Sequence, residues 1–475
     1  MCGIVGYVGY DEAAGKIIEG LKKLEYRGYD SSGIAILSDK GIELNKCKGE
    51  IKNLENMIAG RVPKGTCGIG HTRWATHGAP SDVNSHPHMD QSGRVALVHN
   101  GIVENYVELK ETLINEHGIK FKSETDSEVI AQLVGVKYNA NGGDLEKAVY
   151  DATKEMRGTY AIGVIAEGTP DKIVAYRKEA PLIAGLGKKS NFIASDIPAL
   201  LKYTNDIFLI ENDEMVICTP DSITIKDKDG KEVKREAMKI TWSVEDAEKG
   251  GYEHFMLKEI NEQPKVVAET LNRRIDEDGK IKLDGINLTK EELDEYNKIY
   301  IVACGTAYHA GLVGKYVIEK MAGIAVEVDV ASEFRYRDPF IDEKTLFIAI
   351  SQSGETLDTL MSLRLAKEKG ARVLSVVNVV GSSIARESDD VFYTWAGPEI
   401  AVASTKAYTT QLVCMYLIAL YLGDIRGTLT DEYRKFILEE LQQIPEKIQE
   451  ILEEAPYIEK LAKRLYNKTQ VFFIG

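Results

Sequence analysis

Little in this 475-residue chain invites a disulfide, a metal or a membrane. Its six cysteines (Cys2, Cys47, Cys67, Cys218, Cys304 and Cys414) are scattered, with no CxxC pair. That excludes a zinc ribbon and a disulfide framework and points to a reduced compartment. His86 and His88 stand apart from other ligand types, so no metal is indicated. Neither GxGxxG nor GxxxxGK[ST] occurs, so no dinucleotide or nucleoside triphosphate is indicated and no cofactor is expected. Positive charge is also short: Lys and Arg number 59 against 74 Asp and Glu, a net charge of −15. Nucleic acid and anionic membrane, which need basic surface, are thereby disfavoured as partners. The longest apolar run, LVCMYLIALYL (412–422), is too short to span a bilayer and predicts a buried core helix. The N-terminus lacks a basic n-region and meets Asp11 and Glu12 early, unlike a signal peptide. A soluble, cytoplasmic protein is expected.

What is present divides the chain in two. Apolar residues at 14, 17, 18, 21 and 24 predict an amphipathic helix after a first strand. Glycine-punctuated apolar runs follow: SGIAIL (32–37), GIGHTRWA (68–75), RVALVHNG (94–101) and TYAIGVIA (159–166). They suit a layered α+β domain. TDSE (125–128) signals a helix start, with Thr125 as its cap. The polar segment EDAEKGGYEHF (245–255) marks a boundary. Beyond it KIYIVACG (298–305), TLFIAISQSG (345–354), ARVLSVVNVVG (371–381) and DVFYTWAG (390–397) alternate with helical patterns. That alternation predicts βαβ units and a doubly wound parallel sheet. We expect a first domain at 2–240, a linker and helical lead-in at 241–290, a second domain at 291–430, and a helical connection at 431–475. VFFIG (471–475) reads as a strand just beginning, as in a chain cut short.

The opening MCGIVGY places a cysteine behind the initiator methionine. Once Met1 is trimmed, a thiol and an α-amine that titrate near neutrality share residue 2, a nucleophile with its own base. A small apolar residue in a buried first strand is the plainer alternative. If Cys2 is a nucleophile, Asn100-Gly101 after VALVH can aim a side-chain amide and a backbone N–H at one oxyanion; the same dipeptide also makes an ordinary turn. In GHTRWATHG (70–78) Arg73 can fork onto a carboxylate, or belong to an exposed loop. Asp126 can meet an ammonium, or simply suit a helix N-terminus.

In that order MCGIVGY, YRGYDSSG (26–33), GHTRWATHG, HNGIVEN (99–105) and TDSE resemble the class II glutamine amidotransferase domain of the N-terminal-nucleophile hydrolases. The resemblance implies an αββα sandwich in which Cys2 attacks the glutamine amide and its own amine shuttles the proton. It further implies that Asn100 and Gly101 form the oxyanion hole. Arg73, Thr76, His77, His86 and Asp126 would surround L-glutamine, with Trp74 on a closing loop.

In the second half SQSGET (351–356) follows a buried strand and opens a helix, a ready site for a phosphate. CGTAYH (304–309) and ASTKAYT (403–409) repeat the arrangement, although a single such loop is more often only a cap. The three loops resemble a sugar-isomerase (SIS) domain. Together with KGGYEHFMLKEINEQP (249–264) they are similar to the family that passes glutamine nitrogen to D-fructose 6-phosphate, giving D-glucosamine 6-phosphate and L-glutamate. That resemblance implies sugar-phosphate binding by Thr306, Ser351, Gln352, Ser353, Thr356 and Ser404, with Ala307 standing where a serine is expected. It also implies a homodimer and a second SIS domain whose lysine, glutamate and histidine isomerise the sugar. This chain stops where that domain would begin, so glutaminase activity alone is expected of it.

Overall fold

A computed structural model describes residues 2–25, 28–74, 78–240, 249–275 and 281–472. The chain forms two compact units, 1–247 and 248–475. In the first, β1 (Gly3–Gly9), α1 (Ala13–Leu24), β2 (Ser31–Ser38), β3 (Gly41–Lys48), α2 (Ile51–Ile58) and β4 (Cys67–Arg73) come in turn. β5 (His88–Met89) and β6 (Val95–Val103) precede α3 (Tyr106–His117), α4 (Asp126–Ala140) and α5 (Leu145–Thr153). Then follow β7 (Gly158–Ala166), β8 (Ile173–Lys178), β9 (Ile183–Leu186), β10 (Ser190–Ala194), β11 (Asp206–Leu209), β12 (Glu214–Cys218), β13 (Ile223–Lys226) and β14 (Met238–Lys239).

These strands make two antiparallel sheets, ordered β14-β11-β9-β10-β1-β4-β2-β3 and β13-β12-β8-β7-β6-β5. Because side chains alternate along a strand, each sheet offers one face to the other. Ile4, Val8, Ile69, Val98, Ala161 and Ile165 meet there in one buried core. On the outside, α1 buries Ala14, Ile17, Ile18, Leu21 and Leu24, the stripe read from the sequence. A further core joins β6 and β7 to α4 and α5. The result is four layers, αββα.

The second unit contains α6 (Phe255–Asn272), α7 (Lys290–Glu295), β15 (Lys298–Ala303), α8 (Gly305–Ala322), β16 (Ala325–Val330) and α9 (Ala331–Phe334). It continues with β17 (Thr345–Ser351), α10 (Leu357–Glu368), β18 (Arg372–Val377), α11 (Ser383–Glu387), β19 (Asp390–Tyr393), α12 (Lys406–Arg426), α13 (Asp431–Glu453) and α14 (Ala455–Leu465). Its five strands are all parallel, ordered β16-β15-β17-β18-β19. Ile299, Ile301, Ile348 and Ile350 pack on one face with residues of α6, α8 and α12. Tyr300, Val302, Phe347 and Ala349 pack on the other with α9 and α10. Both faces are covered, which is why these strands read as continuous apolar runs. The apolar run at 412–422 lies inside α12, which is long and apolar enough to cross a membrane but is mostly packed into this core.

One expectation is corrected. Asn100 and Gly101 do not follow a strand as a turn; they lie within β6, paired with Ala161 and Tyr160 of β7. Gly101 holds a φ of +119°, and a Cβ there would sit 2.0 Å from the Thr159 carbonyl oxygen, so this crowded position takes only glycine. At the other end, Val471 and Phe472 belong to no strand, and residues 473–475 lie outside those described. Within 241–290, α6 packs its Val267 and Leu271 into the core of the second unit.

Candidate active sites

The central strands of the first sheet bring residue 2 and Arg73 to the same end. Gly3 pairs with Thr72, and Ser31 with Arg73. The chain ahead of β2 closes over that end: the Asp30 N–H donates to the Arg73 carbonyl at 2.9 Å. A Cβ on Gly28 would lie 2.5 Å from the Arg73 carbonyl carbon, which explains the glycine of YRGYDSSG. The Cys2 thiol sits between backbone groups, accepting from the Trp74 N–H at 3.3 Å and lying 3.5 Å from the Trp74 carbonyl oxygen. Nδ2 of Asn100 donates to the Cys2 carbonyl at 3.1 Å. The amide read as an oxyanion donor is therefore held on the backbone of residue 2.

Arg73 is buried and donates to the Gly78 carbonyl at 3.0 Å. Burial lowers its pKa, while the Cys2 thiol, Asp126 and Asp30 act to raise it. Asp126 opens α4 and is also buried; its Oδ2 accepts from the Val103 N–H at 3.0 Å. Thr125 caps α4 as read, accepting from the Glu128 N–H. The Glu128 carboxylate instead takes the Lys122 N–H at 3.0 Å, and the Ser123 N–H as well, which secures the turn into the helix. Trp74 is 39% exposed, with its ring edge-on to Tyr29 at 5.4 Å. Thr76 and His77 lie outside the described residues.

His86 is placed differently from a group lining the substrate. It is buried in a cluster with His71, His88 and His99, its ring 4.1 Å from that of His71 and 4.8 Å from that of His88. Neither of its ring nitrogens has a hydrogen-bond partner among the described residues.

His71 is the site residue that the sequence did not single out. Its Nε2 lies 3.0 Å from both the His99 carbonyl oxygen and Asn100 Oδ1. Both neighbours only accept, which assigns the proton to Nε2. That donor fixes which way the Asn100 amide faces, so that Nδ2 points toward Cys2. The available signal was alternation, since His71 and Arg73 share one face of β4. Burial holds all four histidines neutral: His71 is pushed down to about 3, His86 and His88 well below their ordinary value, and His99 also downward.

In the second unit, SQSGET joins β17 to α10 at the carboxyl end of the parallel sheet. Ser351 Oγ takes the Gly354 N–H at 3.0 Å and lies 2.9 Å from Thr356 Oγ1. Ser353 Oγ takes the Glu355 N–H at 3.1 Å, and the Gln352 carbonyl takes the Asn378 N–H at 3.1 Å. Gly354 has a φ of +64° and no room for a Cβ beside Ser382. No side chain caps α10, nor α8, where Thr306 is exposed and Ala307 buried. The third loop differs. The Glu399 carboxylate takes the Thr405 N–H at 2.9 Å, the Ala407 N–H at 3.0 Å and the Ser404 hydroxyl at 3.0 Å. A side chain thus fills the start of α12, leaving the first turns of α8 and α10 for an anion.

The comparisons agree with this division. A glutamine amidotransferase domain model matches residues 71–202, and a SIS domain model matches residues 292–421. The glutamine–fructose-6-phosphate aminotransferase (isomerising) of Clostridium tetani is 58% identical over all 475 residues, spanning 78% of that relative. That of Clostridium perfringens is 56% identical over the whole chain and 77% of its own length. Among solved structures, the C-terminal domain of the Francisella tularensis glucosamine-fructose-6-phosphate aminotransferase covers 46% of this chain and 62% of its own at 43% identity, with a TM-score of 0.44. The αββα sandwich and the parallel sheet are therefore those of a class II glutamine amidotransferase joined to a SIS domain. Within that class, the chain belongs to the glutamine–fructose-6-phosphate aminotransferase (isomerising) family.

Proposed function

We propose that the first unit hydrolyses L-glutamine at Cys2 and that the second receives the ammonia for D-fructose 6-phosphate, yielding D-glucosamine 6-phosphate. The observation that carries the reading is the convergence of Cys2 with the Asn100 amide beside the field of Arg73 and Asp126. After removal of Met1, the Cys2 amine takes the thiol proton and the sulfur attacks the glutamine side-chain carbonyl. Asn100 Nδ2 and the Gly101 N–H receive the charge that develops on oxygen. The amine then returns the proton to the departing nitrogen, and water cleaves the thioester to glutamate. Arg73 pairs with the substrate α-carboxylate and Asp126 with its α-ammonium. The family resemblance assigns Thr76 and His77 to glutamine as well, with Trp74 on a closing loop, while His86 supports His71 by ring contact. In the second unit the phosphate sits at the start of α10 among Ser351, Gln352, Ser353 and Thr356, with Thr306 and Ser404 on the sugar. Domain limits of 2–240, 241–290 and 291–430 accompany this reading. The six free thiols support a cytoplasmic location, and the family resemblance supports a homodimer.

Arg73→Ala and Asp126→Ala test the assignment. Each leaves one charged end of glutamine unpaired, a loss of about 1.5–3 kcal/mol. The glutamine KM is expected to rise roughly 10- to 150-fold by that energy. Asp126 also holds the Val103 N–H, so its variant is read by comparing KM with melting temperature. A lower melting temperature with an unchanged KM would reduce Asp126 to a helix-start residue.

A further inference from the structure

The loop carrying Ser404 is exposed at its tip, Val402 at 72% and Ala403 as well, while Ile400 at its start is buried. Carboxylates hold both of its ends. Glu399 takes the Ser404 hydroxyl and the Thr405 N–H. At the other end stands Glu259 of α6, itself 1% exposed. Its Oε1 accepts from the Ile400 N–H at 2.6 Å and the Ala401 N–H at 3.1 Å. Burial raises the Glu259 carboxyl pKa, and those two backbone N–H groups oppose the rise.

The same face of α6 also grips the start of α12. Glu262 takes Lys406 Nζ at 2.6 Å, in an ion pair whose lysine is buried. Gln263 Oε1 takes the Thr409 hydroxyl at 2.5 Å. Pro264, inside α6, has no N–H for the Ile260 carbonyl four residues back. Gln263 Nε2 supplies that bond instead, at 3.0 Å.

We propose that Glu259 is a positioning residue for the sugar subsite, fixing the backbone at 400–401 so that Ser404 meets fructose 6-phosphate. This rests on the assignment of Ser404 to that substrate. Glu259→Ala takes the acceptor from the buried Ile400 N–H and the half-buried Ala401 N–H and frees one end of the loop. Glu259→Gln keeps the shape and one acceptor oxygen but loses the charge that strengthens both bonds.

The test measures fructose 6-phosphate binding by calorimetry in the wild type, Glu259→Ala, Glu259→Gln and Ser404→Ala, beside glutaminase kcat/KM without sugar. Glu259→Ala is expected to weaken sugar binding roughly 10- to 100-fold, as the loss of buried charge-assisted bonds allows. Glu259→Gln should fall between it and the wild type, with glutaminase kcat/KM within about twofold in both Glu259 variants. Amide exchange at Ile400 and Ala401 should quicken in Glu259→Ala and stay unchanged in Ser404→Ala. Should Glu259→Ala not fold, Glu259→Gln carries the test alone. Wild-type sugar affinity in the Glu259 variants, with only a lowered melting temperature, overturns the proposal while Ser404→Ala still weakens binding. If Ser404→Ala also binds normally, the loop lies outside the sugar site, and both the assignment and the proposal fall.

Discussion

Cys2→Ala is expected to abolish glutamine hydrolysis while leaving the fold and fructose 6-phosphate affinity intact. Losing a nucleophile from a concerted site costs on the order of 10⁴- to 10⁶-fold in kcat, since the oxyanion donors then have nothing to stabilise. The thiol lies against the backbone of Trp74, and residue 2 precedes β1 in irregular chain. The substitution therefore removes little packing, and the melting temperature should hardly move. A second arm separates thiol from amine: retaining Met1, or placing a tag before Cys2, keeps the thiol and removes the base. Activity should be lost in both forms. Full turnover with Met1 present, verified by mass spectrometry, would overturn the double role of residue 2.

Acid should unfold the first unit well before the second. His71, His86, His88 and His99 are buried and held neutral, with pKa values below the ordinary range. In the unfolded chain they titrate near 6.5. Below that pH the unfolded state binds protons that the folded state refuses, so stability falls as pH drops. It continues to fall until the folded-state values are reached, about 3 for His71. A histidine that stays neutral in the fold removes about 1.4 kcal/mol per pH unit below its unfolded value, a steep loss beside ordinary domain stability. Denaturation followed from pH 7 to 4 should show the first unit melting first, with a net uptake of protons on unfolding. His86→Asn, at a ring without hydrogen bonds, should reduce that uptake by about one proton. An uptake below one proton in the wild type would mean that the cluster is already charged when folded.

Sequence alone determined the elements whose physics is local or periodic. The spacing that buries Ile17, Leu21 and Leu24 needs only the helical repeat, and Thr125 needs only the N–H three residues on. The continuous apolar runs at 298–305 and 345–354 announce strands covered on both faces, because no polar alternation interrupts them. Pairing in space was decided elsewhere. Asn100-Gly101 has the composition of a turn, and only the β6–β7 register, with its positive φ at Gly101, makes it part of a strand aimed at residue 2. His71, His86, His88 and His99 come from strands and a loop that sequence spacing does not relate. Their contact depends on two sheets closing on one another, and so does the neutral state that this burial enforces. Glu259 is likewise invisible to motif reasoning: it sits 141 residues from Ile400, and a buried carboxylate acquires meaning only from the backbone groups that a folded loop presents to it.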